Sequence, residues 1–347
     1  MGRGAARPSG ALVTSAGWIA AGWIAVVAAF AACSGDTVTP DPEPPANGDG
    51  GVMILRVFDL GENENGGGGD ALLITDSTAA GQRHVLIDAG PAGQAGADLD
   101  HVARRLEALG VDTLDALVLS HAHTDHFDGM SAVLDRIHVR VFYYNGQVRS
   151  FFRYQNLLAQ ANVSAGMRVA VAQPIGFDLG TSAGTNIRIL PPLNTWLADA
   201  NAGSAEINEG SLGTRVTRGT FSLFVAGDGE VAANLRWRTI FADETRDLIA
   251  LKIGHHGGND AVFDNGSFGA SAWLDHTDPQ LLLVSANGTS HPRIRALTAM
   301  LARAVQTFCT PVHGDIVVRV DHAGSSWTVS VQRNAGADCV PGRDATT

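Results

Sequence analysis

One short segment restricts the fold more than any other. The apolar run Ala116–Leu119 passes through Ser120 directly into HAHTDHFDGM, placing His121, His123, Asp125 and His126 within six residues. Several unpaired imidazoles and a carboxylate are too costly to bury as ordinary core. They belong on a turn that leaves a buried strand at the edge of a sheet. Such a turn fans alternate residues to two sides, so His121 and His123 can meet one cation while Asp125 and His126 meet a second. Imidazole with carboxylate suits Zn2+ or a similar divalent ion, Mn2+ included.

Further candidates sit at the ends of other apolar runs. Asp228 closes FSLFVAG, where one carboxylate could bridge two ions, or alternatively begin a turn before Gly229. His255 and His256 follow LIALKIG; adjacent residues at a strand end point to opposite sides, so one is expected to bind metal and the other substrate. The expected assignment is His255 to metal and His256 to substrate. His291 follows LLLVSA within ANGTSHPR, and Asp88 closes HVLIDAG, where orienting a loop or a ligand suits it better than binding metal. His84, His101, His138, His276, His313 and His322 lie in helices, turns or edges and are expected at the surface.

These runs alternate with helical spacing. Helices are expected over 98–109, 129–136 and 291–307, and a helix or loop insertion over 146–170; strands are expected around the remaining apolar runs, through IVVRV and WTVSVQ near the C-terminus. A content of 45% hydrophobic and 17% charged residues excludes a disordered chain. The order fits an α/β domain over residues 51–347, with two sheets between helices.

The N-terminus reads as an address. Arg3 and Arg7 precede the uncharged run 17–32, shorter than the roughly 20 apolar residues of a bilayer span. Ala31 and Ala32 before Cys33 resemble a bacterial lipobox, which makes 1–33 an export signal with Cys33 as the lipid-bearing residue. Ser34 at the next position favours outer-membrane delivery in a diderm bacterium. An ordinary cleaved signal and an uncleaved anchor are the alternatives, and all three place the mature protein outside the cytoplasm. Residues 34–50, rich in Pro, Gly and Asp, form a tether. Cys309 and Cys339 then remain as an even pair for a disulfide in an oxidising compartment.

In VFDLG…GDALLI, HVLIDAG, LVLSHAHTDHFDGM, FVAGD, LKIGHHG and VSANGTSHP, taken in order, the chain resembles the metallo-β-lactamase fold superfamily. LKIGHHG and the N-x-x-x-HP ending (Asn287 to Pro292) resemble more specifically the hydrolase domain of ComEC-type DNA-uptake proteins and its free-standing secreted relatives. The resemblance implies a four-layer αββα sandwich with a two-metal site at one edge, and phosphoester substrates, nucleic acid among them. Two departures stand out. The segment between Gly61 and Asp70 is expanded by ENENGGG, and no histidine occurs between His138 and Asp228, where many relatives carry another ligand for the first metal. Asn145 could supply an amide oxygen there or serve as a structural turn residue.

The implied chemistry is hydrolysis at a binuclear centre. Two ions roughly 3.5–4 Å apart deprotonate a bridging water, and the hydroxide attacks phosphorus in line. Metal ligands are then His121, His123, Asp125, His126, Asp228 and His255, with Asp125, His256 and His291 as catalytic groups. His256 or His291 protonates the leaving oxygen or bonds the phosphoryl group. Lys252, Asn287 and Arg293 are candidate substrate contacts, although Lys252, the only lysine, could equally face solvent.

The net charge is −11, and residues 51–347 keep 22 of the 24 basic and 31 of the 35 acidic side chains. That balance disfavours a binder of extended nucleic-acid backbone, yet it leaves room for an enzyme that meets a polyanion through metal ions. An exported phosphodiesterase or nuclease acting on DNA or a smaller phosphodiester is therefore expected. The alternatives are hydrolysis of another ester, a lactone or a β-lactam, and a non-catalytic lipid-anchored binding protein.

Overall fold

The computed structural model describes residues 51–61, 68–79, 81–90, 98–179, 184–197, 199–303 and 306–346. The export signal, Cys33, the tether and most of the expanded glycine loop lie outside these residues. The chain divides into two units, 1–37 and 38–347, and every described residue falls in the second.

Two sheets form the centre. The first runs Trp327–Val331, Ile316–Val320, Val52–Val57, Leu72–Thr78, Gly81–Ile87, Ala116–Leu119, Val141–Tyr144, Met167–Ala170. The second runs Gln306–Cys309, Leu281–Val284, Ala250–Lys252, Phe221–Val225, Gly213–Arg218, Thr185–Leu190, Ile175–Leu179. Val52–Val57, Ala116–Leu119, Phe221–Val225 and Leu281–Val284 are buried at every position, which is why they read as continuous apolar runs and not as alternating ones.

Each face of each sheet has its own apolar partner. Between the sheets, Leu55, Ile74 and Val118 pack in one core with Val216, Leu223 and Leu283. Leu86, Leu117 and Leu119 belong to a second core with Val102, Leu106, Met130, Val133 and Leu157, the buried stripes of helices His101–Ala108, Met130–Arg136 and Phe152–Ser164. Phe224, Leu251 and Leu282 pack with Trp237, Trp273 and Leu297 from helices Val231–Ile240, Ala272–Thr277 and Ile294–Leu301. The result is the four-layer αββα sandwich.

Three expectations need correction. The helix expected over 291–307 is Ile294–Leu301 only, and Gln306–Cys309 forms an edge strand parallel to Leu281–Val284. Pairing with an existing strand outweighs local helical spacing there. Over 146–170, the helix Phe152–Ser164 is followed by the strand Met167–Ala170. His84 and His313 are buried, not superficial. His84 Nδ1 lies 3.0 Å from Thr75 Oγ1, while His313 accepts from the Cys309 amide at 3.0 Å and donates to the Ala337 carbonyl at 3.0 Å. Cys309 and Cys339 form a disulfide with Cα atoms 5.8 Å apart. Among the described residues no helix is long and apolar enough to cross a membrane.

The parallel strands of both sheets determine where chemistry can sit. Gly81–Ile87, Ala116–Leu119 and Val141–Tyr144 are parallel neighbours, as are Phe221–Val225, Ala250–Lys252 and Leu281–Val284. The loops leaving their C-terminal ends carry Asp88, the histidine motif, Asn145, Asp228, the His255–His256 pair and His291, as ligand-binding loops do in open α/β sheets.

Candidate metal centre

Two glycines bring the loops together. The Asp70 amide donates to the Asp125 carbonyl at 3.1 Å, while a Cβ on Gly69 or Gly90 would stand 2.4 or 2.0 Å from that same oxygen. Only bare backbone permits this approach, which fixes the turn carrying Asp125 and His126.

The side chains then form two overlapping sets. His121, His123 and Asp228 offer ligand atoms within 4.8 Å of one another, as do Asp125, His126, Asp228 and His256. His121 Nε2 is 3.0 Å from His123 Nδ1 and 3.8 Å from Asp228 Oδ2. In the second set Asp228 Oδ2 lies 3.2 Å from His126 Nε2 and 3.5 Å from His256 Nε2, and Asp125 Oδ2 lies 3.1 Å from His256 Nε2. Asp228 thus stands between the sets, where a bridging carboxylate belongs.

Outer partners orient the rings. The Asp88 carboxylate accepts from His126 Nδ1 at 2.8 Å, from the Ser120 amide at 2.7 Å and from the Ser120 hydroxyl at 2.6 Å. Asp88 reaches them from a left-handed backbone, φ 57°. His121 Nδ1 lies 3.0 Å from Ser120 Oγ, and His256 Nδ1 lies 3.0 Å from the Ser285 carbonyl and 3.3 Å from Asp70 Oδ1. These bonds turn Nε2 of His121, His126 and His256 toward the centre, as outer partners do for ligating histidines. His123 is oriented the other way: its Nε2 lies 3.2 Å from Ser204 Oγ, which leaves Nδ1 inward.

The electrostatics suit a cation. Burial alone would lower His126, but Asp228, Asp88 and Asp125 outweigh it and hold the ring well above its ordinary pKa. Burial would raise the Asp228 carboxyl, and His126 and His256 hold it well below the carboxylate range. A field that forces positive charge onto a fully buried imidazole is one that a metal ion satisfies. His121 and His123 are shifted the opposite way, first by burial, and stay neutral, as ligands must be. His126 Nε2 and Asp228 Oδ1 are buried without a hydrogen-bond partner among the described residues. Donor set, field and unpaired atoms all fit two divalent cations.

The structure redistributes four expected roles. His256, not His255, joins the inner cluster. The strand ends at Lys252, and both histidines occupy a tight turn at positive φ (44° and 52°), so strand alternation does not apply to them. His255 Nδ1 instead meets Asp260 Oδ1 at 2.9 Å and Glu230 Oε1 at 3.4 Å; the Asp260 bond and nearby carboxylates outweigh burial and raise it to about 9. Lys252 does not face solvent. It is 1% exposed, and its ammonium donates to Asp70 Oδ2 at 2.6 Å. Asn287 is occupied with its own loop, its Oδ1 accepting from the amides of Thr289, Ser290 and His291. Asn145 donates to the Gly210 carbonyl at 2.8 Å and accepts from the Gln147 amide at 3.0 Å, so it is a structural turn residue and supplies no ligand oxygen.

His291 stands beside the pair, with ring centroids 5.5 Å from His255 and 6.1 Å from His256, and burial followed by the charge of His256 lowers it to about 3. Arg293 Nη1 donates to Thr346 Oγ1 at 3.2 Å. Asp70, Ser120, Glu230 and Asp260 were not singled out in the sequence. Only Asp70 and Ser120 left a trace there, lying inside GDALLI and LVLSHAH.

Residues 65–228 match the family model of the metallo-beta-lactamase superfamily. No curated protein matches the chain. Among solved structures, it is similar to the diiron β-hydroxylase CmlA from Streptomyces venezuelae, at 15% identity and a TM-score of 0.46, with 81% of this chain covered. The chain spans only 55% of the length of CmlA. It is also similar to a diphosphatase of the PhnP family (12% identity, TM-score 0.45, covering 79% of this chain and 99% of that one). A third likeness is to unliganded yeast PDE1 (10% identity, TM-score 0.44, covering 75% and 97%). The matched stretch, residues 65–228, runs from the glycine loop through the histidine motif to Asp228, and over it the chain is similar to the metallo-beta-lactamase superfamily.

Proposed function

We propose that this protein is a binuclear metal-dependent hydrolase acting on phosphodiesters. The observation that carries the reading is the pair of ligand sets sharing Asp228 at the joined strand ends. When bound, two divalent cations, Zn2+ by donor preference, supply Lewis acidity and a water acidic enough to ionise near neutral pH. His121, His123 and Asp228 would hold one; Asp125, His126, Asp228 and His256 the other. Asp88, Ser120 and Asp70 keep the rings aligned. His255 and His291 stand outside both sets, next to His256, and can donate to phosphoryl oxygens. The preference for a phosphodiester over another ester, a lactone or a β-lactam rests on the resemblance in LKIGHHG and the N-x-x-x-HP ending.

The same proposal places the protein outside the cytoplasm and on a membrane through Cys33, as the N-terminal sequence and a disulfide-bonded C-terminus support. Mass analysis of the mature N-terminus tests this, since an unmodified Cys33 rules out the lipid anchor.

The hydrolase is tested by metal analysis together with rates on bis-p-nitrophenyl phosphate, short DNA, a lactone and a β-lactam. Two ions per chain and phosphodiester turnover, both lost in Asp228→Ala, are expected. Metal-loaded protein inert on phosphodiesters but active on the lactone or β-lactam overturns the substrate class; absence of metal overturns the centre.

A further inference from the structure

The loop 145–149 follows the strand Val141–Tyr144, a neighbour of the strand that launches the histidine motif. It is stitched to the wall of the metal centre. Asn145 donates to the Gly210 carbonyl, and the next residue, Ser211, accepts the Asp228 amide at 3.1 Å. The Val148 amide donates to the Leu197 carbonyl at 3.2 Å.

Two side chains of this loop are left unspent. Gln147 is 2% exposed, yet neither its amide nitrogen nor its amide oxygen has a hydrogen-bond partner among the described residues. Arg149 Nη1 is likewise buried and unpartnered. An unpaired buried amide and, two residues on, an unpaired buried guanidinium nitrogen are expensive, and native proteins keep such groups where a ligand or water completes them. Arg153, one turn further on, is spent, its guanidinium 3.0 Å from the Asp128 carboxylate.

We infer that Gln147 and Arg149 form an anion subsite beside the His121–His123–Asp228 set, built to hold a second phosphate of the substrate. The inference rests on the phosphodiesterase reading and narrows it: the preferred substrate carries a phosphate next to the one cleaved. The guanidinium fork takes two phosphate oxygens and the Gln147 amide a third. This gives an acidic protein a local grip on a polyanion without an extended basic track.

Two experiments test the subsite and the function separately. In chelator-treated protein, inorganic phosphate is expected to raise Tm through the subsite and to lose this effect in Arg149→Gln. Equal shifts in both proteins, or none in either, overturn the subsite. In metal-loaded protein, kcat/KM for 5′-phosphorylated pdTdT is expected to exceed that for dTdT by about tenfold, the scale of one charged hydrogen-bond pair. In Arg149→Gln the ratio falls toward one, and Arg149→Lys, which keeps the charge but not the fork, recovers part of it. A wild-type ratio near one also overturns the subsite. If neither dinucleotide is cleaved while phosphate still protects the wild-type protein alone, the phosphodiesterase reading fails and the subsite stands.

Discussion

The Lys252 ammonium donates to Asp70 Oδ2 at 2.6 Å, and both side chains are buried while Asp70 Oδ1 faces His256 Nδ1 at 3.3 Å. The only lysine of the chain is thus a fixed counter-charge behind a residue of the metal centre. Burial would raise Asp70, but Lys252 and then His256 hold it below the carboxylate range. Removing one partner strands a buried charge, at a cost of about 3–5 kcal/mol. Lys252→Met is therefore expected to destabilise strongly in urea titrations, and Lys252→Met/Asp70→Leu to recover much of the loss. If the two single-variant costs simply add in the double variant, the pair is not coupled.

His255 and His256 give a direct discrimination. With His256 Nε2 3.1 Å from Asp125 and 3.5 Å from Asp228, His256→Ala is expected to lose one of two ions. His255→Ala should keep both, because His255 is paired with Asp260. Metal content per chain reads the result, and the opposite pattern would exchange the two roles.

This pair marks where the sequence stops being informative. The histidine motif and Asp228 were legible because several ligand types at strand ends have few structural alternatives. So were the continuous apolar strands of the central sheets. Which of two adjacent histidines faces inward depends on left-handed backbone at both, and on Ser285 and Asp70, which are remote in sequence. Lys252 was ambiguous for the same reason: its partner lies 182 residues away. The strand Gln306–Cys309 was hidden because its pairing is long-range while its spacing continues a helix.

Asp88 acts through His126 and Ser120 and belongs to neither ligand set that shares Asp228. Asp88→Asn keeps a side chain that tolerates left-handed backbone but loses the carboxylate's hold on His126 Nδ1. Metal affinity should fall by roughly 10–100-fold, the usual effect of removing an outer partner of a ligating histidine. Competition with a fluorescent chelator measures it, and unchanged affinity would mean that Asp88 contributes only to folding.

The disulfide offers a prediction independent of the metal. Cys309 ends the edge strand Gln306–Cys309, and Cys339 lies 30 residues further along, beyond the strand Trp327–Val331, with no helix or strand among the described residues 332–346. Closing a loop of that length restricts the unfolded chain by roughly 3–4 kcal/mol in the chain-entropy account. His313 joins the same region, donating to the Ala337 carbonyl within the segment that the bridge closes. Reduction, or Cys309→Ala/Cys339→Ala, is therefore expected to lower the urea midpoint substantially while leaving two bound ions per chain, because neither cysteine shares a group with the ligand sets around Asp228. Loss of metal in step with loss of the bridge would instead tie the C-terminal segment to the centre, through the Arg343 amide's bond to the Gly288 carbonyl in the His291 loop.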